Sequence, residues 1–262
     1  MVEEDNEIEV LYWLLLKNQH SRQLIKAGLI VSNLMLQKNI ESLLEKLRKY
    51  EQRYRRKEFS VNLLAVSKKQ SIRCIQNAYE NGLTHFGENY ASEAIEKIEG
   101  LRDYPITWHF IGPIQANKTR LLAENFDWIQ SVDREKIAHR LNDQRPIEKK
   151  PLNICIQVKI SDESSKAGIS MSQLHPLCVL IDSLPRLRLR GLMAIPAPES
   201  DLIVQQSVYK PLKETFNQLR SEFLTLDTLS IGMSADFEAA IAQNSTLVRI
   251  GTSLFGKRSE SV

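Results

Sequence analysis

The chain has 262 residues, 42% hydrophobic and 26% charged, an ordinary composition for a soluble protein of one large domain or two small ones. Thirty-five basic residues against 32 acidic ones leave a net charge of +3, a balance that argues for no particular polyanionic partner, and no nucleic acid is expected. The three cysteines, Cys74, Cys155 and Cys178, are odd in number and widely spaced in apolar runs; they read as buried thiols of a reducing compartment, and without a CxxC pair or His/Cys cluster no metal site is expected.

Residues 1–34 stand apart. Their apolar run over 10–16 is too short to span a bilayer, and the acidic start Glu3-Glu4-Asp5-Asn6-Glu7 is the opposite of a secretory signal's basic region. The expectation is a cytoplasmic protein without membrane attachment, in which 1–34 form an extension of unassigned role and 35–262 the functional domain. Apolar Ile40, Leu43, Leu44 and Leu47 then recur at helical spacing within 38–56. A first strand over 61–68 leads into a helix from Ile72 that Asn81-Gly82 ends. The alternation repeats with strand 84–89 and helix 91–101, strand 106–112 and helix 115–125, then strand 128–132 and a helix to Asn142 capped by Asp133. A basic loop over 145–151 precedes strand 152–160, helix 171–183, strand 187–195 and a long helix over 201–223 with a candidate break at Pro211. Strand 226–232, a short helix 236–243 and strand 247–252 complete the series.

Eight strand-like runs separated by helix-like ones point to an α/β fold, a single-domain (β/α)8 barrel. An open doubly wound sheet is the alternative, but no glycine-rich fingerprint follows the first strand. No helix is expected after the eighth strand; helix 38–56 would take its place.

Barrel chemistry sits at the C-terminal ends of strands. The first strand, Val61-Asn62-Leu63-Leu64-Ala65-Val66-Ser67-Lys68-Lys69, is apolar until it ends in lysine. Alternation places Leu64, Val66 and Lys68 on one face and Leu63, Ala65, Ser67 and Lys69 on the other, so an interior-facing Leu64 carries Lys68 inward with it. A free lysine is neutral in only about one molecule in 2,500 at pH 7; desolvation at an apolar strand end lowers its pKa and exposes a nucleophile able to form a Schiff base. The plain alternative is a pair of solvated lysines opening a loop. At the ends of the last two strands, Gly251 permits close backbone approach while Ser234 and Thr252 offer hydroxyls, the makings of a phosphate site. Ser234 equally suits the N-cap of the helix at Asp236, and Arg249 equally suits a buried ion pair with a carboxylate such as Glu238. His109 reads as a structural histidine rather than a base, and Lys118 and Lys166 as surface charges.

Several of these segments, taken together and in order, carry a resemblance: Ala65-Val66-Ser67-Lys68; Phe86-Gly87-Glu88-Asn89-Tyr90; His109-Phe110-Ile111-Gly112 with Gln115-Ala116-Asn117-Lys118; Ser164-Ser165-Lys166-Ala167-Gly168; Gly191-Leu192-Met193; and Ser230-Ile231-Gly232-Met233-Ser234 with Val248-Arg249-Ile250-Gly251-Thr252. Over about 35–256 the chain resembles the YggS/PROSC family of pyridoxal-phosphate homeostasis proteins. The resemblance implies a barrel like the N-terminal domain of alanine racemase with pyridoxal 5′-phosphate at the strand ends. It implies Lys68 as the Schiff-base lysine, Ser234, Gly251 and Thr252 as the phosphate cradle, Arg249 beside the pyridine nitrogen, and Asn89 and Met193 lining the cofactor. Lys166 matches a family lysine whose role is cofactor handling or a secondary site. The chain departs from the family in its residues before Met35 and in Pro113-Ile114. The resemblance further implies a monomeric carrier that holds the cofactor with little or no turnover, has no catalytic residue, and passes its cargo to apo-enzymes. The rivals are an amino-acid racemase using the same cofactor, a class I aldolase-type barrel in which Lys68 attacks a sugar phosphate, and a regulator acting through a protein partner.

Overall fold

The computed structural model describes residues 21–161 and 167–256. Strands β1 (Asn62–Val66), β2 (His85–Glu88), β3 (Thr107–Phe110), β4 (Trp128–Val132), β5 (Leu152–Gln157), β6 (Leu187–Met193), β7 (Thr228–Ser230) and β8 (Leu247–Ile250) close into a barrel in chain order. Every pairing is parallel, including the one between β8 and β1. The helices are α1 (Ser21–Arg53), α2 (Ile72–Glu80), α3 (Ala91–Gly100), α4 (Thr119–Asn125), α5 (Glu135–Gln144), α6 (Leu174–Ser183), α7 (Leu202–Leu219), α8 (Phe237–Ala242) and α9 (Thr252–Phe255). The open-sheet alternative is thereby settled in favour of the barrel.

Alternation along each strand divides the side chains into two layers. Leu63, Ala65, Phe86, Phe110, Ile129, Ile154, Val248 and Ile250 face outward and pack with Ile75, Leu122, Ile137, Ile181 and Leu212 of the helices. Burying one such aliphatic side chain contributes about 1.5–3 kcal/mol, so this layer is where the fold gains most of its stability. Leu64, fully buried, stands outside that layer, and its register partner across the β1–β8 seam is Arg249. Neighbouring residues in register share a face, so Leu64 and Arg249 both look into the barrel. α1 packs against α2, α8 and α9 and covers the seam, the place expected of helix 38–56.

Several element ends differ from the sequence reading. α1 extends back to Ser21 and runs unbroken past Met35. Asp133 does not cap α5: Arg134 occupies the position before Glu135, and Asp133 pairs with it at 2.5 Å. α7 continues through Pro211. Pro211 and Ser207, whose carbonyl loses its helical donor, both lie on the exposed face, where hydration of that carbonyl costs little. One helical turn, α9, follows β8 where none was expected, because β8 ends at Ile250 and Gly251 starts a new direction. Cys155 and Cys178 are buried, whereas Cys74 is only half-buried. Among the described residues no helix is long and apolar enough to cross a membrane, and no three His, Cys, Asp or Glu side chains gather as a metal site.

The register of β5 against β6 slips by one residue: Ile154 pairs with Leu189 but Cys155 with Gly191. The extra residue, Arg190, is turned onto the Trp128 ring at 4.6 Å and donates to Asp227 and Asn153. Gly191 allows this, since a Cβ there would stand 1.7 Å from the Thr228 carbonyl oxygen. Gly191→Ala is expected to cost at least about 2 kcal/mol in urea denaturation by overpacking. Gly100→Ala meets only the flexible tip of Ile72 at 2.7 Å. Its expected loss is below about 1 kcal/mol, because alanine also favours the helix by roughly that amount.

Candidate functional site

The sequence-predicted residues converge on one mouth of the barrel. Lys68 lies two residues past the end of β1, half-buried, in the turn Ser67–Gln70 closed by the Gln70 N–H donating to the Ser67 carbonyl at 2.9 Å. Gly251 and Thr252 follow β8, and a Cβ on Gly251 would lie 3.3 Å from the Val66 carbonyl oxygen, so the ends of β8 and β1 sit tightly side by side. Ser234, half-buried, lies in the loop after β7. Met193 ends β6 and is fully buried; Asn89 directly follows β2. These positions occupy the C-terminal ends of β6, β7, β8, β1 and β2, five contiguous strands. Arg249 sits one step lower on β8. Asn89 Oδ1 is buried with no hydrogen-bond partner, a polar atom left over within this group. Lys166 lies outside the described residues. Gln115 and Asn117, in the segment that follows β3, are exposed.

Two of the weighed alternatives are corrected. Ser234 does not cap α8: Asp236 occupies that position, with its carboxylate turned back to accept from the Met233 N–H (2.6 Å) and from the buried Tyr209 hydroxyl (2.7 Å). Arg249 does not pair with Glu238, which instead accepts from Arg53 and Tyr54 on the outside of the barrel. Its guanidinium donates to the Ser230 carbonyl (2.5 Å), the Ser230 hydroxyl (2.8 Å) and the Ala194 carbonyl (2.9 Å).

From Arg249 a hydrogen-bonded chain crosses the interior. A guanidinium only donates, so Ser230 Oγ accepts from it and must give its own proton to Gln130 Oε1, at 2.6 Å. That bond joins β7 to β4, which are not neighbours in the sheet, and so spans the barrel. The Gln130 amide then donates to His109 Nδ1 (2.8 Å), leaving the His109 Nε2–H to donate to His85 Nδ1 (2.9 Å). His109 also stacks on Trp128, ring centroids 5.1 Å apart. Burial holds the His109 imidazole well below the usual histidine range, with His85 and Arg190 adding to the effect, and burial lowers His85 as well. His109 is therefore the structural histidine expected. Gln130 drew no attention in the sequence and Ser230 entered it only as part of a motif, although their alternation with Ile129 and Leu229 marks them as interior.

A second cluster lies behind Lys68, between the barrel and α3. Ser67 is fully buried, and its hydroxyl donates to Glu88 Oε1 at 2.6 Å. The Lys97 ammonium, from α3, donates to Glu88 (2.7 Å), Glu93 (2.6 Å) and the Ser67 carbonyl (2.8 Å). Burial pushes the Glu88 carboxyl up from its ordinary value, while the bonds from Lys97 and Ser67 oppose the shift. Lys69, the next residue of the turn, is exposed.

A family profile described as alanine racemase, N-terminal domain, matches residues 39–259. The pyridoxal phosphate homeostasis protein of Pasteurella multocida is 48% identical over 230 residues, covering 86% of this chain and 99% of that protein. The chain belongs to the family of pyridoxal phosphate homeostasis proteins. Its relative of the same description from Escherichia coli K12 is 49% identical over 226 residues, 85% of this chain and 97% of that one. Among solved structures, PipY of Synechococcus elongatus with PLP bound superposes with a TM-score of 0.74 at 34% identity, over 84% of this chain and 100% of that one. Alanine racemase from Corynebacterium glutamicum shares the fold, with a TM-score of 0.61 at 14% identity over 83% of this chain and 62% of that one.

The buried histidines set a pH dependence. His109 stays neutral in the fold, while the unfolded chain takes up a proton near pH 6.5, so the unfolded state binds more protons and stability falls as pH drops below about 6.5. The expected loss is up to about 1.4 kcal/mol per pH unit for each histidine held neutral. Urea unfolding at about pH 7.5 and about pH 5.5 measures it, and His109→Gln is expected to flatten the slope over that window.

Proposed function

We propose that this protein binds pyridoxal 5′-phosphate at the C-terminal mouth of the barrel and moderates its free concentration, with little or no catalytic turnover. The observation that carries the reading is the place of Lys68, half-buried and just past a strand end that abuts Gly251. The residues present suit the cofactor in kind. It brings an aldehyde, a phosphate dianion and a ring nitrogen; the mouth offers an amine, a pair of hydroxyls beside a glycine backbone, and a buried guanidinium. The unpartnered Asn89 Oδ1 adds a polar atom in want of a donor. When bound, the cofactor supplies an aldehyde that condenses with an amine and a ring that withdraws electrons.

In this reading Lys68 holds the aldehyde carbon, and Ser234, Thr252 and the backbone at Gly251 hold the phosphate. Arg249 meets the ring nitrogen, and Asn89 and Met193 line the ring. Arg249 supports the absence of turnover. Its guanidinium has no proton-accepting site and is already committed to the Ser230 and Ala194 oxygens, so it supplies charge and position but no transferable proton. A ring nitrogen facing Arg249 would gain no proton from it. The homeostasis proteins named above lend the same support, and delivery of the cofactor to enzymes that need it belongs to this reading.

Protein incubated with pyridoxal 5′-phosphate is expected to turn yellow and, after borohydride, to carry the reduced adduct on Lys68. Lys68→Ala is expected to stay colourless and Lys69→Ala to behave as the parent; an aldolase-type barrel would give no yellow protein with any sugar phosphate. Ser234→Ala combined with Thr252→Val removes two charge-assisted bonds of about 1.5–3 kcal/mol each and is expected to weaken retention at least tenfold. An NMR assay of α-proton exchange on a panel of amino acids in deuterated water is expected to show no turnover near the roughly 1–1,000 per second typical of enzymes.

A further inference from the structure

The main chain on both sides of Lys68 is gripped by one buried charge cluster. Before it, the Ser67 carbonyl accepts from Lys97 Nζ at 2.8 Å as well as from the Gln70 N–H. After it, the Lys69 N–H donates to Glu93 Oε1 at 2.5 Å. The two contacts are tied together, because Lys97 also binds Glu93 at 2.6 Å and Glu88 at 2.7 Å, which uses all three ammonium protons. The cluster is dry at its centre, with the Lys97 and Glu88 side chains 5% and 0% exposed.

Such support is what the turn requires. Lys68 and Lys69 are the central residues of the turn Ser67–Gln70, and Lys69 has φ of 62°. A positive φ at the third position alone is the type II pattern, which calls for glycine or asparagine there. A lysine with a Cβ resists that conformation, so something outside the turn must hold it. Among the described residues, Lys97 and Glu93 bind the turn's two peptide ends, and Glu88 holds Lys97 and the Ser67 hydroxyl.

We propose that Lys97, Glu88 and Glu93 are positioning residues for Lys68: through the Ser67 carbonyl and the Lys69 N–H they fix the turn in which Lys68 is presented to the barrel mouth. None of the three enters the mouth itself, so their effect falls on whatever bonds to the Lys68 amine and spares what binds at the ends of β7 and β8. This rests on the reading of Lys68 as the amine that takes the cofactor's aldehyde.

Two probes separate the effects: pyridoxal 5′-phosphate, which has the aldehyde, and pyridoxine 5′-phosphate, an alcohol that keeps the phosphate and ring but cannot condense. The variants are Glu93→Gln, at a half-exposed residue, and Lys97→Met combined with Glu88→Gln, which removes the buried charges together and strands neither. Folding is checked by circular dichroism, and amide hydrogen exchange is followed over 67–70. The expected result is faster exchange over 67–70, at least about tenfold weaker binding of pyridoxal phosphate, and pyridoxine phosphate binding unchanged within about twofold, with Lys97→Arg close to the parent. Equal loss of both ligands, or no loss of either, overturns the positioning role. Should the parent bind both ligands alike and give no borohydride-reducible adduct, the Lys68 reading itself is wrong. Unchanged exchange over 67–70 in the variants then overturns the clamp on its own.

Discussion

A guanidinium inside a barrel of apolar strands is the constraint from which the interior follows. Arg249 is nearly fully buried and has donors but no acceptor, so every group around it must be an oxygen or pass a proton onward. Two carbonyls and one hydroxyl meet it, and that hydroxyl sets the amide of Gln130, which sets the tautomer of His109, which sets that of His85. All donors point the same way, from β8 across to β2. Reversing any one would leave two donors or two acceptors face to face in a region of low dielectric, where an unmade bond costs about 1–3 kcal/mol. The interior is thus polar yet ordered.

The outer side of the same strands solves a different problem. Between β1, β2 and α3 a single ammonium is shared by two carboxylates and a carbonyl, which keeps these charges paired within a mainly apolar layer. The inner network orients a cation from below the mouth; the outer one shapes the backbone from behind it. Of these groups only Arg249 reaches the floor of the mouth, and Lys68, Ser234, Thr252 and Asn89 stand above it at the strand ends.

Much of this was legible in the residues. Period-2 alternation read Leu64 as interior within β1, because one face of every barrel strand is packed and a slip of register would expose it; Lys68 lies beyond the strand, in a turn. Eight strands and the substitute role of the first helix came from counting apolar runs. Element ends were less legible. Pro211 sits in an unbroken helix because its exposed face tolerates a missing bond, and Asp133 loses its capping place to a neighbour it pairs with. The partners of Arg249 were not legible at all: Ser230 and Ala194 meet it, and Gln130 meets Ser230, through the closed space of the barrel, a proximity that no linear spacing encodes. Lys97 was hidden for the same reason, reading as one more charge on an amphipathic helix.

The pairing of β8 with β1 has a consequence for how the chain matures. Lys68 leaves the first strand and Thr252 follows the last, so the mouth straddles the joint at which the sheet meets itself. Contacts of this sequence separation form late, after the entropy of closing the long intervening loop has been met. A chain still emerging from the ribosome has its first lysine-bearing turn long before it has anything to set beside it. Any ligand spanning the joint recognises only the finished ring and, by binding it, draws the equilibrium away from forms in which the ring has sprung open.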